Sequence, residues 1–187
     1  MEILELNANN VSNKIWQIIQ KQKECVVWGV PDKTYVFTGH QNNGVNFEEV
    51  SKYNAKIINF PNAGGAIVTS CGDFDLGHFS KQIDNKFGIQ LLEKIKEYLK
   101  EKKINVIIAD NDLLIDGKYK CGSYSSRRFN DILYTAVHIS INADADMIKS
   151  ICTKPMNKIP KGLSEFGITT DEIKNFIIKN TIGDICQ

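Results

Sequence analysis

The chain has few of the residues that mark a metal centre, a disulfide framework or a nucleic-acid-binding surface. Its three histidines are scattered and form no metal-ligand cluster. Its five cysteines are odd in number, widely spaced and without a CxxC pair, which is typical of reduced thiols in a cytoplasmic protein. Only Arg127 and Arg128 are arginines, and the formal net charge of +1 gives no electrostatic basis for binding nucleic acid or an acidic membrane surface.

Long apolar runs and a targeting signal are also missing. No stretch approaches the length of a membrane span, and the N-terminus MEILELNANN lacks the basic and then apolar order of a signal peptide. The apolar content of 42% and the charged content of 24% are those of an ordinary globular protein. We therefore expect one domain over residues 1–187, located in the cytoplasm.

Apolar periodicity predicts helices and strands that alternate along much of the chain. Strands are expected at Glu2–Leu6, Cys25–Val30, Thr34–Thr38, Ala55–Phe60, Asn105–Asp110, Asp112–Ile115 and Ile132–Asn142. Helices are expected at Asn9–Gln22, around Phe47–Tyr53, at Ile83–Lys103 and after a capping box formed by Thr169 and Glu172. This order predicts an α+β fold with a mixed, largely antiparallel sheet flanked by helices.

Two segments carry most of the functional signal. Pro61–Ser80 contains a glycine pair, Gly64 and Gly65, in a loop of small residues that leaves a predicted strand, where backbone amides can approach a ligand closely. Asn111–Arg128 reads as a tight hairpin with an Asp-Gly turn, followed by lysines and by the two arginines. Together these segments predict two walls of one binding pocket.

Four stretches resemble the lipoate–protein ligase branch of the biotin/lipoate ligase superfamily. The first, VVWGVPDKTYVFTGHQN, matches through Trp28, Gln41 and Asn42. The second, INFPNAGGAIV followed by DLGH, matches at 64–66 and 75–77. The third, NDLLIDGKYKCGSYSSR, matches through Asn111, Asp112, Gly117 and Gly122, and the fourth, KGLSEFGITT, through Lys161, Gly162, Ile168 and Thr169.

The resemblance implies an enzyme that activates lipoate, octanoate or biotin with ATP and Mg as an acyl-adenylate. Such an enzyme then transfers the acyl group to a lysine of a lipoyl-type carrier domain. It implies an acyl chain along Gly64, Gly65 and Ala66, and a hairpin lysine at the reacting carbonyl, where a fixed cation stabilises developing negative charge. It also implies that the chain ends after the catalytic-type domain, without a C-terminal accessory domain.

The residues that would line such a pocket are the following. Lys118 and Lys120 are the candidate catalytic residues, and the candidate ligand-binding residues are Gln41, Asn42, Gly64, Gly65, Ala66, His78, Asn111, Asp112, Tyr119, Gly122 and Arg127.

Two positions depart from the family pattern. Tyr119 stands where the family has its hairpin lysine, and Asn59 and Phe60 stand where it has paired arginines. Side chains alternate along a regular strand, so Lys118 and Lys120 would face away from the pocket. A one-residue bulge would turn Lys118 or Lys120 inward.

These departures leave two alternatives to a ligase. One is a non-catalytic module that binds a small acyl or nucleotide ligand, with Tyr119 filling the pocket. The other is a thiol-dependent octanoyltransferase in which Cys71 carries the acyl group, since the segment TSCG resembles a loop of those enzymes. Their nucleophile lies in a Pro-Cys-Gly segment, however, and here the equivalent position is Lys161.

Overall fold

A large, mostly antiparallel sheet forms the centre of the molecule. The computed structural model describes residues 1–7, 10–39, 44–60, 66–82, 86–180 and 182–185. The main sheet has the strand order β1-β2-β6-β10-β9-β8-β7, and a short strand, β11, pairs with β9. Its strands are β1 (Glu2–Glu5), β2 (Cys25–Gly29), β6 (Phe74–Ser80), β7 (Val106–Ala109), β8 (Asp112–Ile115), β9 (Tyr119–Phe129), β10 (Ile132–Ile139) and β11 (Ile159–Pro160). The pairing of β1 with β2 and of β11 with β9 is parallel.

A second sheet of three strands lies beside the main one. Its order is β4-β3-β5, formed by β3 (Tyr35–Thr38), β4 (Lys56–Asn59) and β5 (Ile67–Thr69). The sheet packs with helices α2 (Phe47–Lys52) and α4 (Ala145–Ile151) around a separate apolar cluster that includes Val36, Val68 and Ile151.

Helices cover the two faces of the main sheet unequally. The largest core lies on one face, where α3 (Phe87–Glu101) and α5 (Thr170–Asn180) pack, with α6 (Ile182–Ile185) beside them. The other face is covered by α1 (Val11–Gln20) at one end only. Alternate residues of a strand point to opposite faces, so the main sheet also presents side chains on this second face. The small sheet and the loops face the part of it that α1 does not cover.

These observations confirm the predicted α+β class and its largely antiparallel sheet. The Asp116-Gly117 turn has positive φ at both residues, with the Lys118 amide donating to the Ile115 carbonyl at 3.1 Å, as expected for a type I′ hairpin. The capping box is also present, because the Thr169 hydroxyl accepts from the Glu172 amide at 3.2 Å and Glu172 accepts from the Thr169 amide at 2.9 Å.

The strands β2 and β3 follow each other closely in the chain but belong to different sheets. One central strand differs from the sequence prediction. Strand β6 was not predicted, although it is central to the main sheet, because Asp75, Gly77 and His78 are weak strand formers. Its burial between β2 and β10 overrides their local preference.

No helix within the described ranges is both long enough and apolar enough to cross a membrane.

The histidine on β6 links the sheet to α3. His78 is 6% exposed, and its ring stacks on Phe87 with the centroids 4.2 Å apart. Burial lowers the pKa of His78 to about 4, because the charged imidazolium cannot be solvated there. The folded state therefore binds the proton more weakly than the unfolded state, and stability is lost as the pH falls below the unfolded pKa of His.

We expect this histidine to make the fold acid-sensitive. Between pH 7.5 and pH 5 the free energy of unfolding of the wild type should fall by about 2 kcal/mol more than that of His78→Gln, which cannot titrate. Urea unfolding at the two pH values measures the difference. Parallel pH curves for the two proteins would contradict a buried, neutral His78.

Candidate functional site

A cavity of about 600 Å³ opens on the face of the main sheet that α1 covers only in part. The main sheet forms its floor, through residues of β2, β6, β8, β9 and β10. Tyr35, Phe37 and Ala66–Val68 come from the small-sheet side, and the segment 154–160 closes one end. The volume and the mainly apolar lining are those of a site for a small organic molecule.

The strand register orders the cavity floor into three rows of side chains. The polar row is Asp75, His138, Ser123 and Asp112, which are cross-strand neighbours on β6, β10, β9 and β8. The small row is Gly77, Ala136 and Ser125, two residues further along the strands. The aromatic row is formed by Tyr134, which lines the cavity and whose ring stacks on the buried Phe79 of β6 with the centroids 4.6 Å apart.

This ordering grades the floor from charged to apolar. The polar and aromatic rows are four residues apart on β10, which corresponds to roughly 13 Å of strand. Above the aromatic row, Phe60 contacts Tyr134 at 5.8 Å and Phe37 at 5.3 Å between centroids, so it joins the two sheets. The arrangement suits a molecule with an anionic or polar head and an apolar tail.

A β-bulge on β9 determines which lysine faces the cavity. Leu113 pairs with Gly122 and Leu114 pairs with Lys120, so the register shifts by one residue at Cys121. Cys121 is fully buried in the core on the opposite face, the face to which Gly122 also points. Lys120 is thereby turned to the cavity side, and it lines the cavity.

Lys120 and Lys158 share one carboxylate at the polar end of the cavity. Lys120 Nζ lies 2.8 Å from Asp112 Oδ1, and Lys158 Nζ lies 2.8 Å from Asp112 Oδ2. Burial alone would raise the pKa of Asp112, but the two ammonium groups hold it below its usual value. The ionised carboxylate therefore fixes two cations at the edge of the cavity, and Lys154 lines the same end.

A second ionic cluster lies in the polar row. His138 Nδ1 is 2.7 Å from Asp75 Oδ1, and His138 Nε2 is 3.0 Å from Ser140 Oγ. Burial by itself would lower the pKa of His138, but the carboxylates of Asp75 and Asp73 more than offset this and raise it. Asp73 lies behind His138, with its Oδ2 3.7 Å from His138 Nε2. Burial raises the pKa of Asp73, although the nearby His138 acts to lower it.

The structure brings some of the predicted residues to the cavity and leaves others outside. Lys120, Asp112 and Ala66 line it. Lys118 is exposed and lies over the Tyr119 ring at 5.1 Å from the centroid. Tyr119 packs against the main core, on the face opposite the cavity. Asn111 is exposed in the β7–β8 turn, where its carbonyl accepts from the Tyr124 amide.

Three other predicted ligand residues are placed away from the cavity for identifiable reasons. His78 points to α3, because it alternates with the cavity residues Asp75 and Gly77 on β6. Gly122 also faces the core, where a Cβ atom would lie 2.8 Å from Ile139 Cδ1. Arg127 is the cross-strand neighbour of Tyr134, but its side chain is exposed, with its guanidinium 5.2 Å from the Phe129 ring centroid.

Four predicted residues, Gln41, Asn42, Gly64 and Gly65, lie outside the described residues.

Sequence reasoning missed the side chains that give the cavity its polar character. His138 and Ser140 fall within the predicted strand Ile132–Asn142 without being predicted as site residues, and Lys158 lies in no predicted element. Asp75 was recognised within the DLGH motif, but its contact with a residue 63 positions away left no local signal.

The cysteine considered as a nucleophile, Cys71, is exposed in the β5–β6 turn and contacts the Asp32 carbonyl. Cys152 does line the cavity, but burial raises the pKa of its thiol.

No protein-family model matches the chain, and no curated protein sequence is significantly similar to it. Solved structures do match. Lipoate-protein ligase A bound with ATP superposes with a TM-score of 0.78 at 15% identity, over 99% of this chain and 85% of that one. A Thermoplasma acidophilum protein assigned as a lipoate protein ligase, with bound lipoic acid, gives 0.76 at 14% identity, over 99% and 85%.

A bi-partite lipoate protein ligase of Thermoplasma acidophilum, from a structural study that included its E2 lipoyl domain, gives a TM-score of 0.75 at 15% identity, over 99% of this chain and 83% of that one. The chain therefore has the fold of lipoate–protein ligases, as its sequence motifs predicted.

The placement of Gly122 generates a test of packing. Gly122→Ala should lower the free energy of unfolding by about 1–3 kcal/mol, because the new methyl group would enter the contact with Ile139 and lie 3.2 Å from the His138 carbonyl oxygen. Gly183→Ala is the control, since nothing lies within 4 Å of its added Cβ. Thermal unfolding of the two variants measures the effect, and an unchanged melting temperature for Gly122→Ala would contradict the core-facing bulge.

Proposed function

We propose that the protein is a lipoate–protein ligase-like enzyme that binds a lipoyl- or octanoyl-type acid and transfers it to a lysine of a lipoyl-type carrier domain. The observation that carries the proposal is the bulge at Cys121, which directs the Lys120 ammonium into a cavity with an apolar far end. The match to the fold of a protein solved with lipoic acid supports the acyl substrate. The match to a ligase studied with its E2 lipoyl domain supports the carrier partner.

The shape of the cavity supports an extended acyl chain. The carboxyl group lies at the polar row, beside Lys120, and the tail runs over Gly77 and Ala136 towards Tyr134. The absence of a side chain at Gly77 lets Tyr134 and Val27 pack closely at this part of the floor, because a Cβ there would lie 2.8 Å from the Tyr134 ring and 2.9 Å from Val27. The distance between the polar and aromatic rows, roughly 13 Å, is long enough for an extended eight-carbon acid with its carboxyl group.

ATP is the proposed co-substrate, and the polar end of the cavity fits an anionic group. The substrate carboxylate attacks the α-phosphorus, pyrophosphate leaves, and an acyl-adenylate forms. The amine of the carrier lysine then attacks the acyl carbonyl, and AMP leaves. Lys120 donates hydrogen bonds to the carboxyl and phosphate oxygens, where negative charge grows in both steps.

Lysine is the residue type available for this charge stabilisation at the cavity. Lys120, Lys154 and Lys158 line it, whereas Asn59 and Phe60 occupy the positions of the arginine pair. The fold match to a ligase bound with ATP supports a nucleotide at this end. Gln41, Asn42, Gly64 and Gly65 stay predicted ligand contacts, and a cytoplasmic location fits the free thiols of Cys25, Cys71, Cys121 and Cys152.

The two alternatives are less well supported. A non-catalytic module with Tyr119 filling the pocket conflicts with the packing of Tyr119 against the opposite core. A thiol-dependent octanoyltransferase acting through Cys71 conflicts with the position of that cysteine in an exposed turn outside the cavity lining. The ligase is therefore the function that the geometry favours.

The proposal predicts that Lys120→Met lowers kcat/KM for adenylation at least about 100-fold, because the fixed cation at the reacting oxygens is lost. Pyrophosphate exchange with lipoate, octanoate and biotin measures the reaction. Lys118→Met is the matched control, since Lys118 lies two residues away on the same hairpin but is exposed. It should retain the wild-type rate.

Two results would overturn the proposal. One is a wild-type protein that supports no pyrophosphate exchange with any of the three acids. The other is equal loss of activity in both lysine variants, which would trace the effect to the hairpin rather than to the cavity-facing cation.

A further inference from the structure

Three cavity-lining residues form a hydrogen-bonded chain that the adenylation reaction does not use. Asp75 Oδ1 is 2.7 Å from His138 Nδ1, and His138 Nε2 is 3.0 Å from Ser140 Oγ. All three side chains line the cavity. A carboxylate, an imidazole and a hydroxyl in this order are the groups that activate a serine nucleophile.

Asp75 also accepts a hydrogen bond from the Thr69 hydroxyl at 3.0 Å through Oδ2, but the backbone around this site is held mainly by a different carboxylate, that of Asp73. Asp73 is 1% exposed, and its carboxylate accepts from the amides of Ser70 at 2.7 Å, Ile141 at 2.7 Å and Asn142 at 2.9 Å. Asp73 thus ties the β5–β6 turn to the end of β10. Asp75 is 33% exposed and His138 15% exposed, so both are open to the cavity rather than sealed in the core.

The cation that would stabilise an oxyanion is close to the serine. The Ser140 amide donates to the Cys121 carbonyl at 2.9 Å, so Ser140 lies directly across from the bulge that turns Lys120 to the cavity. A tetrahedral intermediate on Ser140 would therefore form beside a positive charge.

We propose that Ser140, His138 and Asp75 form a nucleophilic triad that accepts the acyl group from an acyl thioester without ATP. The Ser140 Oγ attacks the thioester carbonyl, the C–O bond forms and the C–S bond breaks. His138 Nε2 takes the proton from Oγ and gives it to the leaving thiolate. Asp75 accepts the Nδ1–H hydrogen bond and fixes the imidazole in the tautomer that leaves Nε2 free to accept this proton.

The second half of the reaction returns the enzyme to its starting state. The neutral amine of an acceptor lysine attacks the ester carbonyl, an amide C–N bond forms and the bond to Ser140 Oγ breaks. The proton lost by the amine nitrogen passes through His138 to Oγ. The inference rests on the proposed binding of an acyl chain in the cavity, but it is independent of nucleotide binding.

The test is covalent labelling in the absence of ATP. The protein is incubated with the thioester of octanoic acid and N-acetylcysteamine, and intact mass followed by peptide mapping locates the adduct. We expect one octanoyl group on Ser140, none in Ser140→Ala, and a slowing of at least about 100-fold in His138→Ala. Asp75→Asn should slow labelling while leaving the fold intact by circular dichroism.

Two further variants separate chemistry from folding. Ser126→Ala is the matched control, because Ser126 lies on β9 but contacts Thr135, on the opposite face of the sheet. It should label at the wild-type rate. Ser140→Cys keeps a nucleophile at the same position and should give an adduct that hydroxylamine releases rapidly, as expected of a thioester.

The outcomes distinguish this inference from the ligase proposal. An adduct on Cys71 or Cys152, or equal labelling of the wild type and Ser140→Ala, would overturn the triad. So would a wild type that catalyses pyrophosphate exchange but forms no adduct, and the ligase proposal would then stand alone. An adduct on Ser140 in a protein without pyrophosphate exchange would support the triad and overturn adenylation.

Discussion

One extra residue in β9 determines the chemistry that the cavity can offer. Cys121 and Gly122 both oppose Leu113, so their side chains point to the same core. The bulge is tolerated there because Cys121 is small and fully buried, and because Gly122 adds no side chain to the contact with Ile139. Burial also raises the pKa of the Cys121 thiol to about 12. Every residue before the bulge is shifted to the other face relative to a regular strand.

The cavity is graded because strand alternation and cross-strand register act together. One face of β10 carries His138, Ala136 and Tyr134 in succession, and its neighbours extend each of these into a row across the sheet. The opposite face carries Val137 and Ile139, which are buried against the helices. A single strand thus supplies both the core that stabilises the fold and the surface that a ligand would contact.

The parts of the fold that sequence could predict are those determined by local patterns. The turn at Asp116-Gly117, the capping box at Thr169 and the long helix depend on neighbouring residues, and all three are present. Strand β6 escaped prediction because its place between two partners, rather than its composition, makes it a strand.

The candidate site was less predictable because it depends on long-range contacts. Sequence motifs identified Asp112 and the hairpin lysines, and they raised the bulge as a condition for a cavity-facing lysine. They could not decide between Lys118 and Lys120, since the register of β9 is fixed by packing against β8 and the core. The pairing of Asp75 with His138 joins strands that are neighbours only in space.

The scarcity of arginine has a consequence for how this protein would choose its ligand. A guanidinium presents a rigid fork that selects one orientation of a planar oxyanion, whereas an ammonium is a compact charge on a flexible stem. Among the described residues that line the cavity, the basic side chains are lysines (Lys120, Lys154 and Lys158) and a histidine, with no arginine, so the head of a ligand would be held mainly by charge and with little constraint on its orientation. If the ligand is an acid, as proposed, discrimination between acids would come mainly from how well the tail fits beneath Phe60 and against Tyr134.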